Sequence, residues 1–92
     1  MEILHKEQPP KGRFYIELEG KRVAMMTYVW NGNDRIIIDH TEVDPILRGK
    51  NAGKQLVAKA VEFARERGIR IVPLCPFAKS VFDKVPEYGD VL

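Results

Sequence analysis

The hydrophobic period of this 92-residue chain changes once, near Asp44, and that change limits the fold to a small set. Before it, apolar residues repeat every second position or in short solid runs. Phe14, Ile16 and Leu18 alternate with Tyr15, Glu17 and Glu19, the signature of a half-buried strand. After a turn at Gly20-Lys21, Val23–Trp30 is apolar on both faces apart from Thr27, which suits a central strand. Asn31-Gly32-Asn33-Asp34 marks a hairpin, because Asn and Gly accept positive φ at little cost. Arg35–Val43, built on Ile36-Ile37-Ile38, is the next strand, and together these segments predict an antiparallel meander. Residues 2–8 are ambiguous between a short first strand and coil, and Gln8-Pro9-Pro10-Lys11-Gly12 breaks the chain after them.

Beyond the Asp44–Lys50 loop the period becomes 3.6. Leu56, Val57, Ala60, Val61, Phe63 and Ala64 share one arc of a helix over 52–67, with Gln55, Lys59, Glu62 and Glu66 opposite and Gly68 placed to cap its end. Ile69–Leu74 reads as a strand. Pro73 has no N–H for a ladder, so this strand lies at an edge or splays from its neighbour. Pro76 opens a second helix that runs to Lys84, and Pro86–Leu92 leaves a final short strand open. A right-handed strand–helix–strand crossover sets Ile69–Leu74 parallel to Arg35–Val43. The expected fold class is α/β (α+β): one small domain over residues 1–92, a mixed and mostly antiparallel sheet, and two main helices.

The 15 basic and 13 acidic residues leave a net charge of +2, too weak for the basic stripe of a nucleic-acid binder. The one cysteine, Cys75, cannot close an internal disulfide, which fits a reducing, cytoplasmic setting. No apolar run approaches the ~20 residues of a membrane span, and the N-terminus carries no signal-peptide pattern. The expected state is a monomer or a weak homodimer formed through exposed sheet edges.

The most informative segment is the strand-to-helix loop Val43-Asp-Pro-Ile-Leu-Arg-Gly-Lys-Asn-Ala-Gly-Lys54. Backbone N–H groups at a helix start lack intrahelical partners and point outward, and the helix dipole adds partial positive charge there. Gly49, Ala52 and Gly53 are small enough to let an anion approach, and Arg48, Lys50 and Lys54 surround the spot with cations. This arrangement suits a diphosphate. A solvated loop before a capped helix explains the same residues about equally well on chemistry alone. The loop matches neither the Gly-x-x-x-x-Gly-Lys-Ser/Thr pattern nor Gly-x-Gly-x-x-Gly.

The pattern Val43-x-Pro45-x-x-Arg48-Gly49-x-x-x-Gly53 resembles the coenzyme A loop of GNAT acetyltransferases, which reads Val-x-Pro-x-x-Arg/Gln-Gly-x-Gly-x-Gly/Ala. A second match follows the next strand. There the family often shows Asn-x-x-Ala-x-x-Leu-Tyr, and this chain has Cys75-x-x-Ala78-x-x-Val81-Phe82. More narrowly, the chain resembles the very short GNAT-like domains with a cysteine after the fifth strand. Asn51 stands where the first glycine of the family's Gly-x-Gly falls, Cys75 where its asparagine falls, and Phe82 where many relatives carry the tyrosine acid.

The resemblance implies acetyl coenzyme A held by Glu42, Val43, Arg48, Gly49, Lys50, Asn51, Ala52, Gly53, Lys54 and Phe77, with no metal. It implies two strands that diverge at their C-terminal ends, the pantetheine arm pairing with backbone near Glu42 and Val43. It also implies acetyl transfer to an amine on a small molecule or a protein. Three side chains are candidates for the chemistry. His40 and Glu42, two apart on one strand, share a face unless a bulge separates them, and either can serve as base to the amine. Cys75, a helix N-cap, feels the helix dipole and can act as nucleophile or as acid. The bland readings are a buried apolar cysteine and a satisfied polar histidine. His5 is given no role, being near the terminus without partners, and Tyr28 and Trp30 read as core and sheet-face residues. An acyl-coenzyme A-binding module without catalysis is the alternative, favoured by the missing tyrosine and by a chain too short for the family's usual acceptor helices.

Overall fold

The computed structural model describes residues 1–92. Strands β1 (Leu4–Gln8), β2 (Lys11–Leu18), β3 (Lys21–Trp30) and β4 (Arg35–Val43) form an antiparallel meander, and β5 (Arg70–Pro73) lies parallel to β4. The five strands stand in the order β1-β2-β3-β4-β5, so β5 is an edge strand, as Pro73 allows. Helix α1 (Ala52–Arg67) crosses from β4 to β5. Helix α2 (Pro76–Lys84) follows β5. The ambiguous N-terminal segment is a true strand, and β2 begins at Lys11, inside the expected break. The tail does not add a strand: Pro86–Val91 forms a 3-10 helix whose Val91 is buried against the core. No helix is long and apolar enough to cross a membrane.

One face of the sheet carries the core. Phe14, Ile16, Met26, Tyr28, Ile36, Ile38 and Ile71 meet Leu56, Val57, Ala60, Val61 and Ala64 of α1. Each large apolar side chain removed from water here contributes about 1.5–3 kcal/mol. Helix α1 ends where Gly68 adopts φ 66°, and its N–H is donated to the Ala64 carbonyl. Gly12 is needed within β2 because the Tyr28 ring crosses it. A Cβ there would sit 2.3 Å from Tyr28 Cζ.

Crossing Gly12 brings the Tyr28 hydroxyl to Glu7, to which it donates at 2.6 Å, and Trp30 Nε1 donates to the same carboxylate oxygen at 2.8 Å. His5 is therefore not partnerless. Its ring stacks on Phe14 (centroids 4.3 Å apart), and its Nε2 lies 2.6 Å from the Tyr28 oxygen. Since that hydroxyl donates to Glu7, His5 Nε2 carries the proton it shares with Tyr28.

The opposite face of the sheet is uncovered. The pairing register sets Lys6, Arg13, Thr27 and His40 in one row across it, and Leu4, Tyr15, Met25 and Glu42 in the next. A bulge in β4 decides this arrangement. Thr27 pairs with His40 and Tyr28 with Ile38, which leaves Asp39 as an extra residue. Strict alternation from Ile36 and Ile38 would turn His40 and Glu42 toward the helices. The bulge turns them outward and sets Thr41 and Val43 in line with core-facing Met26 and Ala24.

Candidate active site

The β4–β5 ladder ends early. Its last pair is Ile38 and Pro73, after which the N–H groups of Leu74 and Cys75 both turn to the Ile38 carbonyl, each at 3.0 Å. Pro73 has no N–H to continue the ladder, and Pro76 starts α2 three residues later. Strand β4 runs on to Val43 with no neighbour on that side. The Asp44 N–H is donated to the Val23 carbonyl (2.8 Å). Hydrogen-bond direction alternates along an antiparallel strand, so the amide and carbonyl of Val43 face the gap and those of Glu42 face β3. Val43, Ile46, Leu74 and Phe77 are exposed apolar side chains from segments flanking this gap.

The loop after the gap is a short, rigid device. Asp44 Oδ1 accepts the Ile46 N–H at 2.9 Å and caps a 3-10 turn over Pro45–Leu47, while buried Leu47 anchors the turn to the core. The Arg48 and Lys50 amides are used inside the loop, donating to the Pro45 and Leu47 carbonyls. The N–H groups of Gly49, Asn51, Ala52, Gly53 and Lys54 have no acceptor in the protein. Gly49 (φ 81°) and Asn51 (φ 57°) both take left-handed backbone. Asn51 heads α1 without a side-chain cap, so the helix start presents bare amides. Gln55 Nε2 holds the loop in place by donating to the Lys50 carbonyl at 3.0 Å. The side chains of Arg48, Lys50 and Lys54 are exposed and have no carboxylate partner. Gly53 has a second reason to be glycine, because a Cβ there would lie 2.5 Å from Phe77 Cζ. That ring joins the start of α1 to the start of α2.

Cys75 is 6% exposed and is the N-cap of α2, with extended backbone (φ −63°, ψ 125°). Its thiol donates to Thr41 Oγ1 at 3.3 Å, across the gap. Burial pushes the thiol up. The Thr41 hydroxyl and the amides of Ala78, Phe77 and Thr41 outweigh that, so it sits below its ordinary value. The helix amides point toward the sulfur without closing a capping hydrogen bond. Nothing in the sequence motifs singled out Thr41. Its one available signal was position, two residues before Val43 on the strand that opens the gap.

His40 and Glu42 share the uncovered face, with His40 Nε2 3.1 Å from Glu42 Oε1 and both side chains more than half exposed. The bulge lies before both residues, so it does not part them. It places them on the sheet face opposite Thr41, whose hydroxyl meets the Cys75 thiol. The structure thus brings Cys75, Thr41 and the bare amides of the loop to the helix-covered side, and the His40–Glu42 pair to the open side. Phe82, at the position of the family tyrosine, is buried against Tyr88.

This chain matches the GCN5-related N-acetyl-transferase family over residues 13–91. It is 38% identical to an uncharacterised N-acetyltransferase of Methanocaldococcus jannaschii, the match covering 68% of this chain and 30% of that protein. It therefore spans under a third of that relative's length. A GCN5-like protein from Staphylococcus aureus, solved in solution, superposes with a TM-score of 0.74 at 41% identity, over 98% of this chain and 85% of that one. A Clostridium acetobutylicum protein solved with acetyl coenzyme A superposes with a TM-score of 0.65 over 82% of this chain and 56% of that one. At 17% identity, this last likeness is one of fold alone.

Proposed function

Because the chain belongs to the GCN5-related N-acetyltransferase family, we propose that it moves an acetyl group from acetyl coenzyme A to an amine at the β4–β5 gap. The observation that carries this reading is the gap itself. The Val43 backbone is unpaired at its edge, and a row of unused amides lies at the head of the helix that follows. A coenzyme with a diphosphate and an amide-bearing arm needs both features. The residues fit it: the amides of Gly49, Asn51, Ala52, Gly53 and Lys54 would hold the diphosphate, and Arg48, Lys50 and Lys54 would add charge. Val43 would pair with the arm, and Phe77 would give it an apolar wall. Acetyl coenzyme A supplies an activated thioester when bound.

The chain's own groups then do acid–base work from two sides. An attacking amine must be neutral, and His40, backed by Glu42 at 3.1 Å, takes its proton on the open face. Cys75 Sγ, held by Thr41, is the proton-exchanging group on the other side. In this reading it would protonate the departing sulfur, since Phe82 fills the position of the family tyrosine. Holding the two partners together supplies further rate enhancement.

The test is an isotope-edited NMR titration with acetyl coenzyme A, paired with a thiol-release assay on the His40→Ala and Cys75→Ala variants. Shifts are expected at 43–54 and 74–78, and each variant should lose about a hundredfold in kcat. Binding without turnover on any amine would make the chain a coenzyme-binding module. Unchanged turnover in both variants would end the assignment of the two residues. Retention of an acetyl group on Cys75, seen by mass spectrometry, would make the thiol a nucleophile instead of an acid.

A further inference from the structure

The uncovered sheet face holds a second feature that acetyl-coenzyme binding leaves unexplained. A groove of about 590 Å³ runs from the Pro9-Pro10 turn to Asp39 on the strand that carries His40. Lys6, Lys11 and Arg13 line it from β1 and β2, and Thr27 and Asp39 from the adjoining β3 and β4. None of the three cations has a carboxylate within salt-bridge distance. Arg13 Nε is shielded from water and has no hydrogen-bond partner. Its guanidinium leans over the Tyr15 ring, 5.6 Å from the centroid, which holds the fork on this face. At the far end, Asp39 is fixed by the Thr27 hydroxyl, which donates to it at 2.6 Å.

We infer that this groove binds the acidic group of the amine acceptor. The acceptor class is then a small amine carrying a carboxylate or phosphate, with its two charges at opposite ends. The inference rests on the acetyl-transfer reading of the gap. Three cations against one carboxylate favour an anion at the Pro9-Pro10 end. Asp39 repels that anion from the other end and attracts the ammonium of the approaching acceptor, so the groove orients a molecule charged at both ends. Arg13 and His40 occupy one row, each paired with Thr27. Two strand spacings of ~4.8 Å separate their backbones by roughly 10 Å. The Arg13 side chain and an acceptor of three or four carbons bridge that span, which delivers the amine to His40 while the acid stays on the guanidinium.

The test titrates the isotope-labelled full chain with three probes, 4-aminobutyrate, O-phosphoethanolamine and n-butylamine. The expected result is that the acid-bearing probes move the amides of 6–13 and 39–40, that butylamine does not, and that Arg13→Gln weakens binding at least tenfold. Lys11→Gln provides a second reading should the Arg13 variant fail to fold, with a several-fold loss expected. Comparing the two acidic probes decides between carboxylate and phosphate. No shift in the groove with either acidic probe, equal shifts with butylamine, or affinity unchanged in both variants would overturn the inference. Acetyl coenzyme A is titrated in parallel. Coenzyme shifts at 43–54 without groove binding sink the acceptor inference alone. Groove binding without coenzyme shifts sinks the transferase reading, and with it the groove's role as an acceptor site.

Discussion

Cys75 Sγ and Thr41 Oγ1 lie 3.3 Å apart, and they meet only because β4 has a bulge at Asp39. Without the extra residue, His40 and Glu42 would face the helices and Thr41 would face solvent. The bulge therefore sorts the chemistry of the gap. A neutral hydroxyl meets the thiol on the dry side, and the titratable pair stays in water on the other.

Thr41→Val keeps the shape and removes the hydroxyl that stabilises the Cys75 thiolate. The thiol is expected to rise toward its ordinary value, so alkylation by iodoacetamide at neutral pH slows several-fold and its pH profile moves upward. Thr41→Ser should restore both. A profile identical in all three proteins would show that the helix amides alone set the thiol.

Gly53→Ala drives a methyl group into the Phe77 ring. Overpacking of this kind costs about 1–3 kcal/mol, read as a lower urea midpoint. In a Phe77→Ala background the ring is gone, and the same substitution should stabilise by about 0.5–1 kcal/mol, because alanine favours a helix over glycine. Equal effects in both backgrounds would mean that the ring is not the obstacle.

The triple variant Arg48→Gln, Lys50→Gln, Lys54→Gln leaves the amides in place and removes the surrounding charge. Acetyl coenzyme A affinity should fall about tenfold and lose most of its dependence on salt. Thermal stability should change little, since none of the three side chains has an ion-pair partner. Calorimetry at two salt concentrations checks this. Wild-type affinity in the variant would remove the three cations from the coenzyme site.

His5 and Glu7 make the fold acid-sensitive in two stages. Burial holds the His5 imidazole below its ordinary value. The unfolded chain therefore takes up that proton first, and stability falls as pH drops through the unfolded histidine range near ~6.5. Burial pushes Glu7 up, but hydrogen bonds from Tyr28 and Trp30 bring it below its ordinary value. Its contribution is present above the unfolded carboxylate range and is lost as pH falls through the lower folded one. Urea unfolding followed from pH 8 to pH 3 should show both stages. His5→Asn should abolish the upper stage and Glu7→Gln the lower.

Strands β2 to β5, α1, its Gly68 stop and α2 were legible because each is declared locally, by a period, a cap or a proline. The bare helix start after the Gly49–Asn51 turn was legible for the same reason, since φ preferences and missing N–H partners are properties of a few neighbouring residues. His5 was misread because its partners, Tyr28 and Phe14, are distant in sequence and meet it across the sheet. The tail was left open because Pro86–Val91 has no strand or helix period and takes its shape from packing Val91 into the core.

By itself, then, the sequence determined the order of elements from β2 to α2, the parallel return of β5 and the tight glycine-containing turn that opens α1. Only the tertiary structure decided which way β4 faces past Ile38, that Thr41 and not His40 meets Cys75, and where Lys6, Lys11 and Arg13 stand relative to the gap. The reason is that alternation fixes side-chain direction only relative to the preceding residue. One extra residue, whose place depends on how β3 and β4 pair, reverses every direction after it.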